Sequence, residues 1–183
     1  MKIWYTSDTH FGHKNILKYC KRPFRDVQEH DEMLITYWNQ TVAPEDYVYH
    51  LGDFQFNSDA ERYLPRLNGN KILIRGNHDF QHPKIMESQH WKSVHDVLEI
   101  RDDKTKIVLC HYAMRVWPNG HRGSLMLYGH SHGRLSGNTQ SYDVGVDAWN
   151  YRPVSLKDIR KRLKTFTPYI DPSFHDEHPN VLP

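Results

Sequence analysis

The sequence predicts an α/β fold, on three observations. Short apolar runs rich in β-branched and aromatic residues recur from "KIWYTS" at residues 2–7 to "YDVGVD" at 142–147. Residues 26–40 place Val27, Met33, Leu34, Tyr37 and Trp38 at roughly helical spacing. Several apolar runs stop at Asp, Asn or His, which is where open α/β sheets gather their functional groups.

Taken in order, "KIWYTS" is the first strand and Asn15 to Tyr19 a short helix broken by "RPF" at 22–24. Asp26 to Gln40 is a longer helix, stopped by Pro44. "DYVYHL" (46–51) is a second strand, and Ser58 is placed to cap a short helix through Leu64. "KILIRG" (71–76) is a third strand, and Pro83 opens a short helix near Met86. Strands at Val97–Arg101 and Lys106–Cys110 are joined by a hairpin turn at Asp102-Asp103. "SLMLYG" (124–129) and "YDVGVD" complete the strands, and Ser155 caps a closing helix from Leu156 to Leu163. The proline-containing tail is expected to be irregular.

The 183 residues fit one domain, with no Gly/Ser linker, charge block or repeat to divide them. The division expected is one domain over 1–165 and a tail over 166–183. Cys20 and Cys110 share no CxxC and make no disulfide framework, the opening residues do not resemble a signal peptide, and no apolar run reaches membrane-spanning length. A reducing cytoplasm is therefore the expected compartment, with no membrane partner. A net charge of +2 argues against an extended nucleic-acid track. The unusual count is 14 histidines, whose neutral imidazoles are common metal ligands.

The positions of those histidines carry the functional reading. Successive apolar runs end in "SDTH" (Asp8, His10), "GD" (Asp53), "GNHD" (Asn77, His78), His111 and "GHSH" (His130, His132). "DTH" alone reads as a turn and "GD" is almost uninformative, whereas "GNHD" and "GHSH" carry more signal, since Asn-His after an apolar strand has no packing rationale. As an ordered set at strand ends they are hard to attribute to chance. Extended residues two apart point the same way, so Asp8 and His10 are expected on one side, and likewise His130 and His132. Gly129 and Gly133 would allow tight turns and close approach. Asp, Asn and imidazole form a hard-to-borderline donor set suited to Mn²⁺, Fe or Zn²⁺.

The ordered motifs DxH (8–10), GD (52–53), GNHD (76–79), His111 and GHxH (129–132) resemble the calcineurin-like binuclear metallophosphoesterases. "DTHFGH", "CHYAMRVWP" and "DVGVDAWNYRPVSL" also resemble a compact bacterial and phage subgroup. The resemblance implies a four-layer αββα sandwich with two mixed sheets. It implies two divalent ions, manganese first, with iron, zinc, nickel or cobalt as alternatives. Asp8, His10, Asp53 and His132 would hold one ion; Asp53 would bridge to a second held by Asn77, His111 and His130. A hydroxide between the ions would attack a phosphate ester.

His78 is the expected general acid, pointing away from the ions, and Asn77 would help to meet charge on the phosphoryl oxygens. The carboxylate and arginine that many relatives carry after GD are missing, since Phe54, Gln55, Phe56 and Asn57 follow Asp53. Arg75, Arg115 and Arg122 are possible substitutes for that arginine. His13, Arg75, Arg115 and Trp117 are candidate substrate contacts, and His50 is a candidate hydrogen-bond support for the ligands. His30, His82, His90, His95 and His121 read as surface or loop residues, and His175 and His178 as parts of a solvated tail. Phe11, Phe54, Tyr112, Trp117 and Trp149 lie close to the ligand motifs, either to stack a nucleobase or to pack the core. The expected substrate is a small phosphodiester or nucleotide-like molecule. A single-strand nuclease, a phosphomonoesterase and a non-catalytic binding scaffold are the alternatives.

Overall fold

The computed structural model describes residues 1–56 and 59–172. In chain order the elements are β1 (Ile3–Thr6), α1 (Ile16–Tyr19), α2 (Val27–Thr41), β2 (Tyr47–His50), β3 (Asn70–Ile74), α3 (Pro83–Met86) and β4 (Trp91–His95). There follow β5 (Val97–Asp102), β6 (Thr105–Cys110), β7 (Leu125–Tyr128), β8 (Ser141–Asp143), β9 (Val154–Ser155) and α4 (Leu156–Leu163). One sheet has the order β4-β3-β2-β1-β9, parallel except for the antiparallel β9. The second has the order β5-β6-β7-β8, with only the β5–β6 pair antiparallel. Both sheets are mixed, as the sandwich requires.

Side-chain alternation sorts the core into layers. Tyr5, Leu51, Ile72 and Ile74 of the first sheet meet Ile107, Leu109, Leu125 and Leu127 of the second, and Ile159 and Leu163 of α4 join them. The opposite face of the first sheet presents Val48 and Leu73 to Leu34, Ile35 and Trp38 of α2. On the outer face of the second sheet, Val108, Cys110, Met126 and Tyr128 pack under Trp117, Met114 and Tyr169. That outer cover is an irregular segment with a 3₁₀ turn at Gly120–Arg122.

The caps match the expected chemistry. Asp26 accepts the Glu29 amide at 2.9 Å, and Ser155 accepts that of Asp158 at 3.3 Å. The turn between β5 and β6 falls one residue later than expected: Asp102 pairs with Thr105, and Asp103 and Lys104 take φ of 42° and 65°. Two left-handed central residues match the twist of a hairpin. The strand expected over 142–147 ends at Asp143, beyond which Val146–Ala148 form a 3₁₀ turn. β4 and β9 were not anticipated: one is an edge strand with little apolar character, the other two residues long. The expected Ser58 cap and residues 173–183, with His175 and His178, lie outside the described residues. Residues 166–172 form no helix or strand, yet Phe166 packs beside Tyr142 and Tyr169 stacks on Trp117 at 4.2 Å.

Where β2 and β3 end, two glycines meet. Gly52 has φ of 92°, and a Cβ there would lie 2.5 Å from Gly76 N and 2.6 Å from its Cα. Gly52→Ala therefore combines backbone strain with a clash against main chain, and is expected to cost about 3 kcal/mol. Urea unfolding checks this: the midpoint should fall at unchanged slope.

Candidate active site

Loops leaving the carboxyl ends of β1, β2, β3, β6 and β7 converge at one end of the sandwich, carrying Asp8, His10, Asp53, Asn77, His78, His111, His130 and His132. The expected alternation does not extend into these loops. β1 stops at Thr6 and β7 at Tyr128; Asp8, His10, Asp53, His130 and His132 then all take left-handed backbone, with φ of 57°, 50°, 56°, 63° and 50°. The turns keep Asp8 and His10 together, with Nε2 3.9 Å from Oδ1, but they part the second pair. His132 joins Asp8 and His10, whereas His130 joins Asp53 and His111. Asp53 lies between the two groups, its Oδ2 at 3.6 Å from both His10 Nε2 and His111 Nε2.

Residues in such turns leave amides without ladder partners, and carboxylates take them up. Asp8 accepts the His130 amide at 2.9 Å, and Asp53 accepts that of His78 at 2.9 Å. Asp79, fully buried, accepts the amides of Asp53, Phe54 and Gly76 at 2.9, 3.0 and 2.7 Å. Burial pushes its carboxyl up to about 6, against the opposing pull of these hydrogen bonds. Asp143 takes the amides of Gly133 and Gly145. Gly129 is needed for closeness, since a Cβ there would fall 2.0 Å from Ser7 Oγ and 2.6 Å from Asp8 Oδ2. Of these clamps only Asp8 and Asp53 were singled out from the sequence as candidate ligands. Asp79 is the last letter of GNHD, but its role has no signal in spacing.

The imidazoles are aimed. His111 donates Nδ1–H to Leu51 O at 2.7 Å, so its Nε2 carries a lone pair; that atom faces the Asn77 Oδ1 acceptor at 3.1 Å. Both ring nitrogens of His10 are buried without a hydrogen-bond partner, and burial holds this imidazole well below its ordinary pKa. Burial raises the Asp8 carboxyl. His132 donates Nδ1–H to Asp147 at 2.7 Å. Burial would lower its pKa, but hydrogen bonds to Asp147 and Cys20 and the Asp8 and Asp147 charges raise it to about 10. Facing lone pairs and orphaned buried nitrogens fit a cation, and carboxylate, imidazole and amide oxygen are a donor set that would hold a divalent one.

Asp147 is itself held by a residue the sequence reading missed. Arg22, whose side chain is wholly buried, donates Nε and Nη2 to the Asp147 carboxylate at 2.9 and 2.7 Å. It also donates to Asp8 O, Thr9 O and His30 Nε2. His30 passes Nδ1–H to Asp31, which accepts the Gly12 amide. His30 was read as a surface or loop residue; it is fully buried on α2, beneath the first loop.

The sequence profile of the calcineurin-like phosphoesterase superfamily domain matches residues 1–147. The chain belongs to this superfamily. It is thus a phosphoesterase, a hydrolase of phosphate esters, and the family implies divalent metal ions. It is 34% identical over 174 residues to the uncharacterized protein MJ1445 of Methanocaldococcus jannaschii, covering 89% of this chain and 92% of that one. The Gene 66 protein of Mycobacterium phage L5 is 28% identical, with 85% of this chain and 91% of the phage protein covered. The crystal structure of AQ665, a protein of unknown function from Aquifex aeolicus, superposes with a TM-score of 0.68 at 25% identity, over 87% of this chain and 98% of that one.

In this phosphoesterase several expected contacts lie elsewhere. Trp117 is buried and donates Nε1–H to Ser124 O, and Phe11 and Phe54 are fully buried; all three pack the core. Trp149, half-buried, donates to Asp143 O and edges Tyr142. Arg75 pairs with Asp96 and covers Phe80, and Arg115 and Arg122 are exposed. His50 donates Nε2–H to Thr9 Oγ1 at 3.0 Å, supporting the loop between Asp8 and His10 without touching either side chain. His13 lies beside His10, 5.5 Å between ring centres. His78 turns toward the cluster, its Nε2 3.9 Å from Asp53 Oδ2, because its amide is tied to that same carboxylate.

All five guanidinium donors of Arg22 are engaged, and an ammonium offers only three in another geometry. Arg22→Lys is expected to cost about 3 kcal/mol in a urea titration. Arg25→Lys, at an exposed arginine, should leave the unfolding midpoint unchanged.

Proposed function

We propose that this phosphoesterase is a binuclear metal-dependent phosphodiesterase acting on a small or nucleotide-like diester. The observation that carries the reading is the position of Asp53, one carboxylate oxygen at 3.6 Å from imidazoles of two separate ligand groups. Asp8, His10, Asp53 and His132 would hold one divalent ion, and Asp53, Asn77, His111 and His130 the other, with manganese the first choice. Two such ions lower the pKa of a water and neutralise phosphoryl oxygens in line with it.

The protein's own groups do the rest. Asp53 presents one oxygen to both groups because its other oxygen is occupied by the His78 amide. Asn77 aims its amide oxygen inward, beside His111 Nε2. His78, half-buried at the mouth, is placed to donate a proton to the leaving alkoxide; its Nδ1 has no hydrogen-bond partner, in keeping with the missing carboxylate after GD. The catalytic domain is residues 1–165, with 166–183 appended. Free Cys20 and Cys110 support a cytoplasmic setting, and among the described residues no helix is long and apolar enough to cross a membrane.

Hydrolysis of bis-p-nitrophenyl phosphate and p-nitrophenyl phosphate with added Mn²⁺ tests the reading. A higher kcat/KM for the diester supports it, monoester preference would make the protein a phosphatase, and silence with Mn, Fe, Zn, Ni and Co would make it a scaffold. His78→Ala is expected to leave bound Mn²⁺ unchanged and to slow turnover about 10²-fold for an alkyl leaving group, but far less for p-nitrophenolate. Equal losses on the two leaving groups would remove His78 from that role.

A further inference from the structure

Four aromatic side chains are exposed among the described residues: Tyr19, Phe56, Phe80 and Tyr112. All four lie on segments that follow candidate ligands: Tyr19 beyond the DTH loop, Phe56 three residues after Asp53, Phe80 two after His78, and Tyr112 beside His111. Two of them touch different side chains of the site. Phe56 lies flat on His13, ring centres 4.0 Å apart and planes within 8°, and sits 5.6 Å from His78. Tyr112 meets His130 at 4.7 Å and His111 at 5.0 Å, and its hydroxyl donates to Asn77 Oδ1 at 3.4 Å.

Resting on the diesterase reading above, we propose that Phe56 and Tyr112 are base-stacking platforms, one for each ester arm of a nucleobase-bearing phosphodiester. Exposed rings cost free energy to leave in water, and two of the four among the described residues lie against side chains of the site. A lipid arm would need a continuous apolar groove; these rings are separated by imidazoles and an amide, which suits a flat, polar-edged base. Stacking a base on an aromatic ring contributes about 1–3 kcal/mol. A monoester has one arm and can use only one platform, so the pair also favours a diester.

The test compares methyl p-nitrophenyl phosphate with thymidine 5′-(p-nitrophenyl) phosphate, which share a leaving group and differ in the second arm. Stacking predicts a kcat/KM at least about 10-fold higher for the thymidine ester, chiefly through KM. Phe56→Leu and Tyr112→Leu, which remove the ring and keep apolar bulk, should each shrink that ratio several-fold, whereas Tyr112→Phe should keep it. A short oligothymidylate assayed beside the dinucleotide thymidylyl-(3′→5′)-thymidine distinguishes a strand from a small diester, and cleavage of either that weakens in the leucine variants supports the platforms. Equal rates on the two p-nitrophenyl esters, or an unaltered ratio in both leucine variants, would overturn the inference. If the wild type hydrolyses neither ester, the diesterase reading falls by itself. Calorimetry with thymidine monophosphate against inorganic phosphate on the Mn²⁺-loaded protein then decides the platforms, which require tighter binding of the nucleotide and its loss in the leucine variants.

Discussion

Left-handed backbone at Asp8, His10, Asp53, His130 and His132 is the constraint that organises this molecule. For non-glycine residues such conformations cost on the order of 1–3 kcal/mol each and persist only where the surroundings over-determine them. Here the surroundings are carboxylates. Asp8, Asp53, Asp79 and Asp143 each collect amides from a neighbouring loop, so each turn is held by a residue of another turn. Arg22 adds a rigid fork beneath them, joining two backbone carbonyls of the first loop to Asp147 and so to His132. The strained turns expose side chains that strands would have pointed alternately in and out.

This arrangement gives acidic residues two kinds of work. Asp79 and Asp143 hold backbone. Asp53 holds backbone with one oxygen and faces the histidines with the other, and Asp8 takes the His130 amide on both oxygens while its Oδ1 faces His10, which fixes their pose within the cluster. His111 and His132 are oriented in the same economical way, each giving one ring N–H to a protein acceptor and turning the other nitrogen inward. The consequence is that the directions of these two rings follow from hydrogen bonds on their far sides.

Much of this was legible in the sequence, for a physical reason. Apolar strands announce themselves by composition, and the residues that end them are visible as abrupt changes, so Asp8, Asp53, Asn77, His111 and the 130/132 pair stood out before any fold was known. Strand periodicity, extended into the loops, put His130 and His132 on one side, and there it parted company with the structure; the family resemblance had set them on different ions. Positive φ at Asp or His leaves no mark on composition. Arg22, His30, Asp79 and Asp147 were missed because their roles are long-range hydrogen bonds, up to 125 residues apart, rather than spacings. Aromatic residues were ambiguous for a related reason: Phe11 and Phe54 are as near to the motifs in sequence as Phe56 and Tyr112, and only burial separates core from rim.

The side chains that meet at the site come from both sheets: Asp8, His10, Asp53, Asn77 and His78 from one, His111, His130 and His132 from the other. The seam between the sheets therefore runs through the chemistry itself. Neither half of the sandwich could be excised, duplicated or exchanged and carry a working centre away with it. Diversification in such a scaffold is confined to what surrounds the seam, the rim segments that can lengthen or change their residues without disturbing the joint.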